Sequence, residues 1–331
     1  MQPGVCFFRR EYYGKDKGNI QKMMKKVLLF FTVLLMVLIA GWYVIMGGLY
    51  QKLTFREVKS VSAAPYKEEG VINILLIGSD SRDNSVAGRS DAMILLSVSD
   101  KTKTIHMTSL LRDMYVEIPG HEGNRLNAAY SYGGAELLMQ TVEHNFGIPV
   151  NRCAIVNFQA FANLVDTVGG VDLELSNEEV KLINGYLVEY NQLANRPEGT
   201  DYLDPAAAGV IHLNGPQALA YSRNRYIGTD FGRTQRQRKV LGAVIGSLPG
   251  AILRDPAALI DGVLSNLTTN LKQHEVFTLS LQAWKLLAYD MVSGSIPLEG
   301  TYRNANIRGM AVLEVDLEAN QAYLQSALYG N

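Results

Sequence analysis

The stretch that decides the fold is Val71–Leu110, which reads VINILLIGSDSRDNSVAGRSDAMILLSVSDKTKTIHMTSL. It contains three short runs rich in β-branched or aliphatic residues, separated by polar or glycine-bearing connections: Val71–Ile77, Ala92–Val98 and Thr104–Leu110. Such runs are typical of strands. The connection between the first two has no helical pattern, so it suits an antiparallel turn-back better than a parallel crossover. The stretch therefore predicts the beginning of a β-sheet.

Beyond it, strands alternate with helical patterns. A fourth strand is predicted at Met114–Ile118, and strands and helices then follow in turn at Ala128–Phe146 (helix), Cys153–Phe158 (strand), Gln159–Val168 (helix) and Val171–Leu175 (strand). Helical spacing continues in four later segments: Gly215–Tyr221, Gly232–Leu248, Ala257–Leu267 and His274–Met291. A late strand followed by a helix is predicted over about Ile307–Leu328. This order predicts one α/β domain with a mixed central β-sheet flanked by helices.

The amino-terminal part predicts a membrane anchor. Residues 1–26 are rich in lysine and arginine, and the following stretch, VLLFFTVLLMVLIAGWYVIM (Val27–Met46), carries no formal charge. A helix of roughly 20 apolar residues spans the hydrocarbon layer, and a basic flank stays in the cytoplasm. A cleaved signal peptide is the alternative, although its apolar region would be shorter. We expect a cytoplasmic tail (1–26), a transmembrane helix (27–48), a tether (49–70) and an extracellular domain (71–331) of a single-pass cell-membrane protein.

Charge and cysteine content exclude some classes of protein. The formal net charge of -1 argues against a nucleic-acid-binding protein, since such proteins normally carry a strong basic excess. Cys6 lies on the predicted cytoplasmic side and Cys153 stands alone in the exported part, so no internal disulfide is expected there. Cys153 belongs to the apolar run CAIVNF, which favours a buried, unreactive thiol.

Two aspartates border the connection between the first two strands. Asp80 follows the first strand and Asp91 precedes the second, so the two carboxylates are expected to face each other across the neck of the loop. Without a counter-charge they would repel, and a divalent cation resolves the repulsion. Oxygen ligands suit Mg²⁺, or else Mn²⁺. Aspartates that only cap turns are the plain alternative.

Arginines concentrate in three other places. Arg112 and Asp113 form an adjacent charge pair between two apolar strands, which fits either a cleft or a structural salt bridge. In YSRNR (residues 221–225), Arg223 and Arg225 share one face if the backbone is extended. In DFGRTQRQR (residues 230–238), Asp230 can cap a helix while Arg233 and Gln237 share one face. Arg238 is expected off that face. Converging guanidinium groups beside a metal-ready aspartate pair indicate a pyrophosphate site, whereas a solvated basic helix face is the alternative.

Seven motifs in order resemble the LytR-CpsA-Psr family. They are DSR (80–82), GRSD (88–91), LRD (111–113), NAAYSYGG (127–134), VDTVGGVDLEL (165–175), LNGPQALAYSRNR (213–225) and DFGRTQRQ (230–237). The resemblance is strong over Val71–Leu248 and looser beyond it. It implies a phosphotransferase that moves a glycopolymer, such as teichoic acid or a capsule-type polysaccharide, from a polyprenyl pyrophosphate carrier onto a muramic-acid hydroxyl of peptidoglycan.

The resemblance also assigns roles to residues. It implies Asp80 and Asp91 as metal ligands, and as pyrophosphate-binding groups it implies Arg89, Arg112, Arg223, Arg225, Arg233 and Gln237. Arg89, Arg112 and the two metal ligands, with Asp230 bordering the site, are the candidate catalytic residues. Leu111 stands where the family commonly has proline, and the polar insert Leu187–Asp204 has no interpretation from sequence.

Two other functions stay open at this point. A metal-dependent polyprenyl pyrophosphatase would use the same arginines and give the phosphate to water. A membrane-tethered regulatory protein of the cell envelope would need no catalysis.

Overall fold

The computed structural model describes residues 29, 32–55, 57, 70–79, 90–224, 229–255, 258, 262 and 267–330. The chain divides into two compact units, residues 1–51 and 52–331. In the first unit, helix α1 (Thr32–Tyr50) is the one described helix that is long and apolar enough to cross a membrane, with a mean hydropathy of 2.1. It overlaps the predicted span and runs to Tyr50.

The second unit contains the strands and the remaining helices. Its strands are β1 (Thr54–Phe55), β2 (Val71–Ser79), β3 (Ser90–Ser99), β4 (Thr104–Leu110), β5 (Met114–Val116), β6 (Asn124–Arg125), β7 (Arg152–Asn157), β8 (Val171–Leu175), β9 (Gly209–Leu213), β10 (Thr268–Thr269), β11 (Asp290–Ile296), β12 (Tyr302–Ile307) and β13 (Met310–Val315). Its helices are α2 (Leu126–Phe146), α3 (Phe158–Thr167), α4 (Asn177–Leu193), α5 (Gly215–Arg223), α6 (Asp230–Arg254), α7 (Gln273–Leu286) and α8 (Leu317–Tyr329).

The central sheet is mixed. Among the described residues it has seven strands in the order β1-β10-β7-β2-β3-β4-β11. The predicted turn-back is confirmed, because β2 and β3 pair antiparallel, as do β3 and β4. β7 and β11 join as parallel neighbours of β2 and β4. Two smaller sheets, β12-β13-β5-β6 and β8-β9, complete the described strands.

The two faces of β2 and β3 are covered differently. Residues such as Leu75, Ile77 and Leu95 are fully buried in a core that also contains Leu138 of α2 and Leu324 of α8. The opposite face consists of paired aliphatic residues, and most of them are only half-buried: Ile72 with Val98, Ile74 with Leu96, Leu76 with Ile94, and Gly78 with Ala92. We call these eight residues the aliphatic strip. At about 3.3 Å per residue it runs for ~20 Å along the strands.

A second core supports the later helices. It joins residues of α4, α5 and α6 with the β8-β9 hairpin, including Ile183, Leu213, Tyr221 and Val240. The insert 187–204, uninterpreted from sequence, completes α4 and then turns back on it, since Asn191 Nδ2 donates to the Thr200 carbonyl at 2.9 Å.

Several elements differ from the sequence prediction. The helix expected to reach Met291 ends at Leu286, and Asp290–Ile296 form β11 instead. The pattern misled because the short turn between them is itself apolar. α4, β9 and β12 were not predicted, and β12 (YRNANI) has none of the apolar alternation that marks a strand. The helix predicted at Ala257–Leu267 lies mostly outside the described residues.

Candidate active site

A chain of alternating charges lies where β4 ends. Arg112 Nε is 3.5 Å from Asp113 Oδ2, and Arg112 Nη2 is 3.6 Å from Asp230 Oδ2. Asp230 Oδ1 is in turn 3.3 Å from Arg233 Nη2, and Asp113 Oδ1 is 3.6 Å from Arg125 Nε. The first turn of α6 is thereby tied to the β4–β5 turn. Three guanidinium groups are held together by two carboxylates, which leaves a net positive charge.

The carboxyl group of Asp113 is perturbed by this setting. Burial raises the pKa of Asp113 above its ordinary value, and a hydrogen bond with Asp230 raises it further. The guanidinium groups of Arg112 and Arg125 act in the opposite direction on this pKa. Two carboxyl groups in hydrogen-bond contact can share a proton, so this pair is chemically able to accept one from a substrate.

Arg223 is held by aromatic rings. Its Cζ lies 4.4 Å from the centroid of the Phe158 ring and 6.0 Å from that of Tyr186. A guanidinium on a ring face keeps its N–H edge available for an anion. Phe158 begins α3 directly after β7, which is why a residue at a strand end reaches Arg223.

The amino-terminal end of α5 is fixed against α3. Asn214 and Gln217 form a capping box, and the N–H of Gly215 donates to Asp166 Oδ1 at 2.6 Å. A Cβ at Gly215 would lie 2.1 Å from the Ala162 carbonyl oxygen, so only glycine permits this close approach. The contact sets the position from which Arg223, at the far end of the helix, projects.

The arginines of α6 are not a solvated surface. Arg233, Arg236 and Arg238 are only 3%, 6% and 8% exposed, so the basic-face alternative is wrong. Arg236 Nη2 donates to the Asn224 carbonyl at 2.6 Å and so joins α6 to the end of α5. The side-chain carbonyl oxygen of the neighbouring residue, Gln237, is buried and has no hydrogen-bond donor among the described residues.

Arg238 has a structural position that the sequence did not indicate. Its Nε donates to Ser293 Oγ at 2.7 Å and its Nη1 donates to Ser109 Oγ at 2.6 Å. Burial lowers its pKa from the ordinary arginine value. Arg238 therefore fastens α6 to β4 and β11. Its partner in β4, Ser109, is one residue before the end of that strand, which leads into the turn that carries Arg112.

Part of the predicted site lies outside the described residues. This applies to Asp80, Arg89 and Arg225, and to the side chain of Asp91. The backbone on either side of the loop is described, and Ser79 pairs with Ser90 there. The ends of the connection that bears the two aspartates are therefore adjacent.

The structure thus brings Arg112, Asp230 and Arg233 together by ion pairs, and it links the Arg223 end of α5 to α6. Asp113, Arg125, Phe158 and Tyr186 were not predicted as site residues. Only Asp113 had a visible signal, namely its adjacency to Arg112 between two strands.

The aliphatic strip leads to this charged region. Ser109, next to the end of β4, pairs with Ile94, and the Gly78–Ala92 pair lies at the same end of the sheet. Gly242 of α6 faces Met107, so α6 covers the β4 side of the strip. A row of apolar side chains ending at buried arginines is the arrangement expected of a protein that binds an anion attached to an apolar chain.

Comparison with known proteins agrees with this class. The LytR_cpsA_psr family model matches residues 49–326. Curated relatives include the polyisoprenyl-teichoic acid–peptidoglycan teichoic acid transferases TagU of Bacillus anthracis, 32% identical, and of Halalkalibacterium halodurans, 34% identical. Each alignment covers 77% of this chain, and 82% and 79% of the respective relative.

Solved structures show the same fold. Bacillus subtilis TagT superposes with a TM-score of 0.63 at 26% identity, covering 83% of this chain and 100% of that one. TagT with bound octaprenyl pyrophosphate lipid gives 0.61 at 26% identity, covering 83% and 99%. The chain belongs to the LytR-CpsA-Psr family, as its motifs indicated.

Proposed function

We propose that the protein is a phosphotransferase that moves a glycopolymer of the teichoic acid or capsule type from a polyprenyl pyrophosphate carrier to a muramic-acid hydroxyl of peptidoglycan. The observation that carries this proposal is the Arg112–Asp230–Arg233 network at the end of the aliphatic strip. The strip suits the prenyl chain and the network suits its pyrophosphate. The activity of the TagU relatives, which transfer polyisoprenyl-linked teichoic acid to peptidoglycan, and the octaprenyl pyrophosphate bound to TagT support the same function.

The reaction follows from the charges. The acceptor oxygen forms a new bond to the phosphorus next to the glycopolymer, and the bond from that phosphorus to the polyprenyl phosphate breaks. Polyprenyl monophosphate leaves with the extra negative charge. Arg112, Arg223 and Arg233 stabilise that charge as it develops, because charged donors in a water-poor site act strongly without reorganising.

The hydroxyl proton needs an acceptor. We assign it to the Asp113–Asp230 pair, since these carboxylates already border the arginines and contact each other. A carboxyl with a raised pKa is a better base than an ordinary aspartate near neutral pH. Of the three aspartates that are candidate catalytic residues, Asp80, Asp91 and Asp230, this proposal gives the role of proton acceptor to Asp230, and it adds Asp113.

We further propose Mg²⁺, or Mn²⁺ in its place, as the cofactor, with Asp80 and Asp91 as its ligands. The pairing of Ser79 with Ser90 supports this proposal, because the two aspartates follow residues that are neighbours in the sheet. The cation supplies charge neutralisation on the pyrophosphate oxygens. Arg89 and Arg225 complete the proposed set of pyrophosphate-binding residues, together with Gln237.

The metal proposal is tested by chelation and substitution. Asp80→Ala and Asp91→Ala should each remove most of the transfer activity while the melting temperature changes little, and a chelator should do the same to the parent protein. Asp204→Ala, an exposed loop aspartate, is the control. Turnover that resists the chelator would exclude the metal.

Product analysis tests the reaction itself. With a lipid-linked pyrophosphate donor and a peptidoglycan fragment, the protein should yield a phosphodiester-linked product and polyprenyl monophosphate. Glycopolymer phosphate released into water at the same rate without acceptor would make the protein a pyrophosphatase instead. Consumption of no donor at all would favour a regulatory role.

We place the exported unit outside the cell membrane and the 1–26 tail inside, with 27–48 as the span, 49–70 as the tether and 71–331 as the catalytic domain. The basic flank and α1 support this topology. A reporter that requires export should be active when fused after Asn331. Activity of a cytoplasm-requiring reporter at the same position would contradict it.

A further inference from the structure

The outward side of α7 exposes large apolar side chains. None of the described side chains of α7 is buried, although the helix contains Val276, Phe277 and several leucines. Leu281 is 42% exposed, Trp284 70% and Leu287, just beyond the helix end, 74%. These three residues follow one another at three-residue spacing and so lie on one side of the helix. We call them the docking face.

The inward side of α7 closes a cavity. A cavity of ≈ 220 Å³ lies between Leu279 and Leu286 of α7 and the strand residues Val71, Ile72 and Val98. Ile72 and Val98 are also the last pair of the aliphatic strip, at the end away from Arg112. One helix thus separates the far end of the strip from the docking face.

Lysines, an aspartate and a tyrosine surround the same end of the sheet. Lys285 and Asp100 line the cavity. Lys103 Nζ lies 5.4 Å from the centroid of the Tyr289 ring, and the Tyr289 hydroxyl donates to Asp100. Exposed tryptophan and leucine with lysines and tyrosine at their border form the composition found at the boundary between lipid and water.

We propose that the docking face lies in the lipid–water interface of the bilayer, with the lysines at anionic headgroups. Three observations favour a bilayer over a protein partner: Lys103 and Lys285 at the border, the apolar cavity directly behind the helix, and the apolar helix α1 in the same chain. Because α1 keeps the chain at a membrane, docking is effectively intramolecular and needs little affinity of its own.

The docking face also gives the carrier a route, a consequence that rests on the proposed function. A polyprenyl chain lying in the bilayer would meet the cavity first and then the aliphatic strip. Its pyrophosphate would come to rest at the arginines.

The sequence offers a direct test, because Trp42 and Trp284 are its two tryptophans. The full chain with Trp42→Phe, reconstituted in vesicles containing anionic lipid, leaves Trp284 as the reporter. Shallowly brominated lipids should remove roughly half of its emission, since a tryptophan at headgroup level is within reach of the quencher. Replacing the anionic lipid with a neutral one should weaken the quenching.

The matched control carries Trp42→Phe, Trp284→Phe and Val210→Trp. Val210 is 76% exposed on β9, so its tryptophan reports an equally accessible position away from α7. It should stay unquenched. Equal quenching at both positions, or blue-shifted but unquenched emission of Trp284, would overturn the proposal; the latter result would indicate a protein partner.

Activity separates this proposal from the proposed function. Trp284→Ser with Leu287→Ser should lower transfer from a bilayer-embedded donor at least roughly tenfold, since two apolar side chains lose their burial. Transfer from a short-chain, water-soluble donor should be unchanged. Equal loss with both donors would contradict docking, whereas Trp284 quenching in a protein that consumes neither donor would refute the transferase function and leave docking intact.

Discussion

Arg223→Lys tests whether the site recognises geometry or only charge. The guanidinium lies 4.4 Å above the Phe158 ring, and this stacking directs its N–H edge. Lysine keeps the charge but offers a point charge where the pyrophosphate is expected to accept two parallel hydrogen bonds. It also loses the contact of the guanidinium with the Phe158 ring.

The size of the effect can be worked from these contacts. One charge-assisted hydrogen bond in a desolvated site is worth about 1.5–3 kcal/mol. At about 1.4 kcal/mol per factor of ten, Arg223→Lys should lower the transfer rate roughly ten- to a hundredfold. Phe158→Leu keeps an apolar side chain and removes the ring face, worth about 0.5–2 kcal/mol, so it should lower the transfer rate by up to roughly thirtyfold.

The assay is transfer from a lipid-linked pyrophosphate donor to a peptidoglycan fragment, for the parent, both single variants and the double variant. The two losses should be less than additive, because the ring acts through the guanidinium. Arg225→Lys, the neighbouring predicted ligand, should behave like Arg223→Lys.

Arg303→Lys is the matched control. Arg303 of β12 forms an exposed ion pair with Glu314 of β13, and the same chemical change should be silent there. Equal rates for Arg223→Lys and Arg303→Lys would reduce the arginines to a generic basic surface. Fully additive losses for Phe158 and Arg223 would show that the ring does not position the guanidinium.

Three further outcomes are expected. Arg238→Lys should lower the melting temperature by roughly 3–12 °C, because a hydrogen bond to Ser109 or Ser293 is lost. Lys239→Arg, at the exposed neighbouring position, should leave the melting temperature unchanged. Equal melting temperatures of the two variants would contradict the role of Arg238 in holding α6 on the sheet. Because the pKa of Asp113 is raised, the folded protein binds more protons than the unfolded chain at pH values just above the ordinary aspartate pKa. The free energy of unfolding therefore falls as the pH rises through the raised pKa. Asp113→Asn cannot ionise and should lose less stability than the parent between about pH 4 and pH 7, and parallel melting curves against pH would refute this. Cys153→Ala should keep transfer within about twofold, because the thiol is 1% exposed inside the core, and a large loss without unfolding would make it a site residue.

Much of the fold was predictable where apolar runs are clearly bounded. Val71–Leu110 contains three short runs rich in β-branched or aliphatic residues, separated by polar or glycine-bearing connections, so three strands and the antiparallel turn-back between the first two followed from it. The β12 strand was not predictable, because YRNANI lacks apolar alternation and is held by its partner β13. The end of the helix predicted to reach Met291 was also wrong, because an apolar run at a helix end does not reveal where the helix stops and β11 begins. The helix ends at Leu286.

The candidate site divides in the same way. The sequence identified Arg112, Asp230 and Arg233 because charged residues are unusually concentrated around them along the chain. It set Arg238 off the Arg233/Gln237 face but gave no sign of its contacts with Ser109 and Ser293, because helical spacing says nothing about which strand lies beneath the helix. Phe158 gave no signal, since an aromatic residue at a strand end is ordinary.

What the sequence determined by itself was therefore local: the apolar amino-terminal stretch, the apolar runs of the first strands, the motifs and the residue types able to bind pyrophosphate. Only the tertiary structure decided which charges meet. Arg112 and Asp230 are far apart in the chain, and they come within 3.6 Å only because α6 packs on β4 and β11. The tertiary structure also decided which arginines are buried, because the arginine run of α6 is equally compatible in sequence with a solvated surface. Packing against the sheet removes these arginines from water, and the lower dielectric constant strengthens their interaction with an anion.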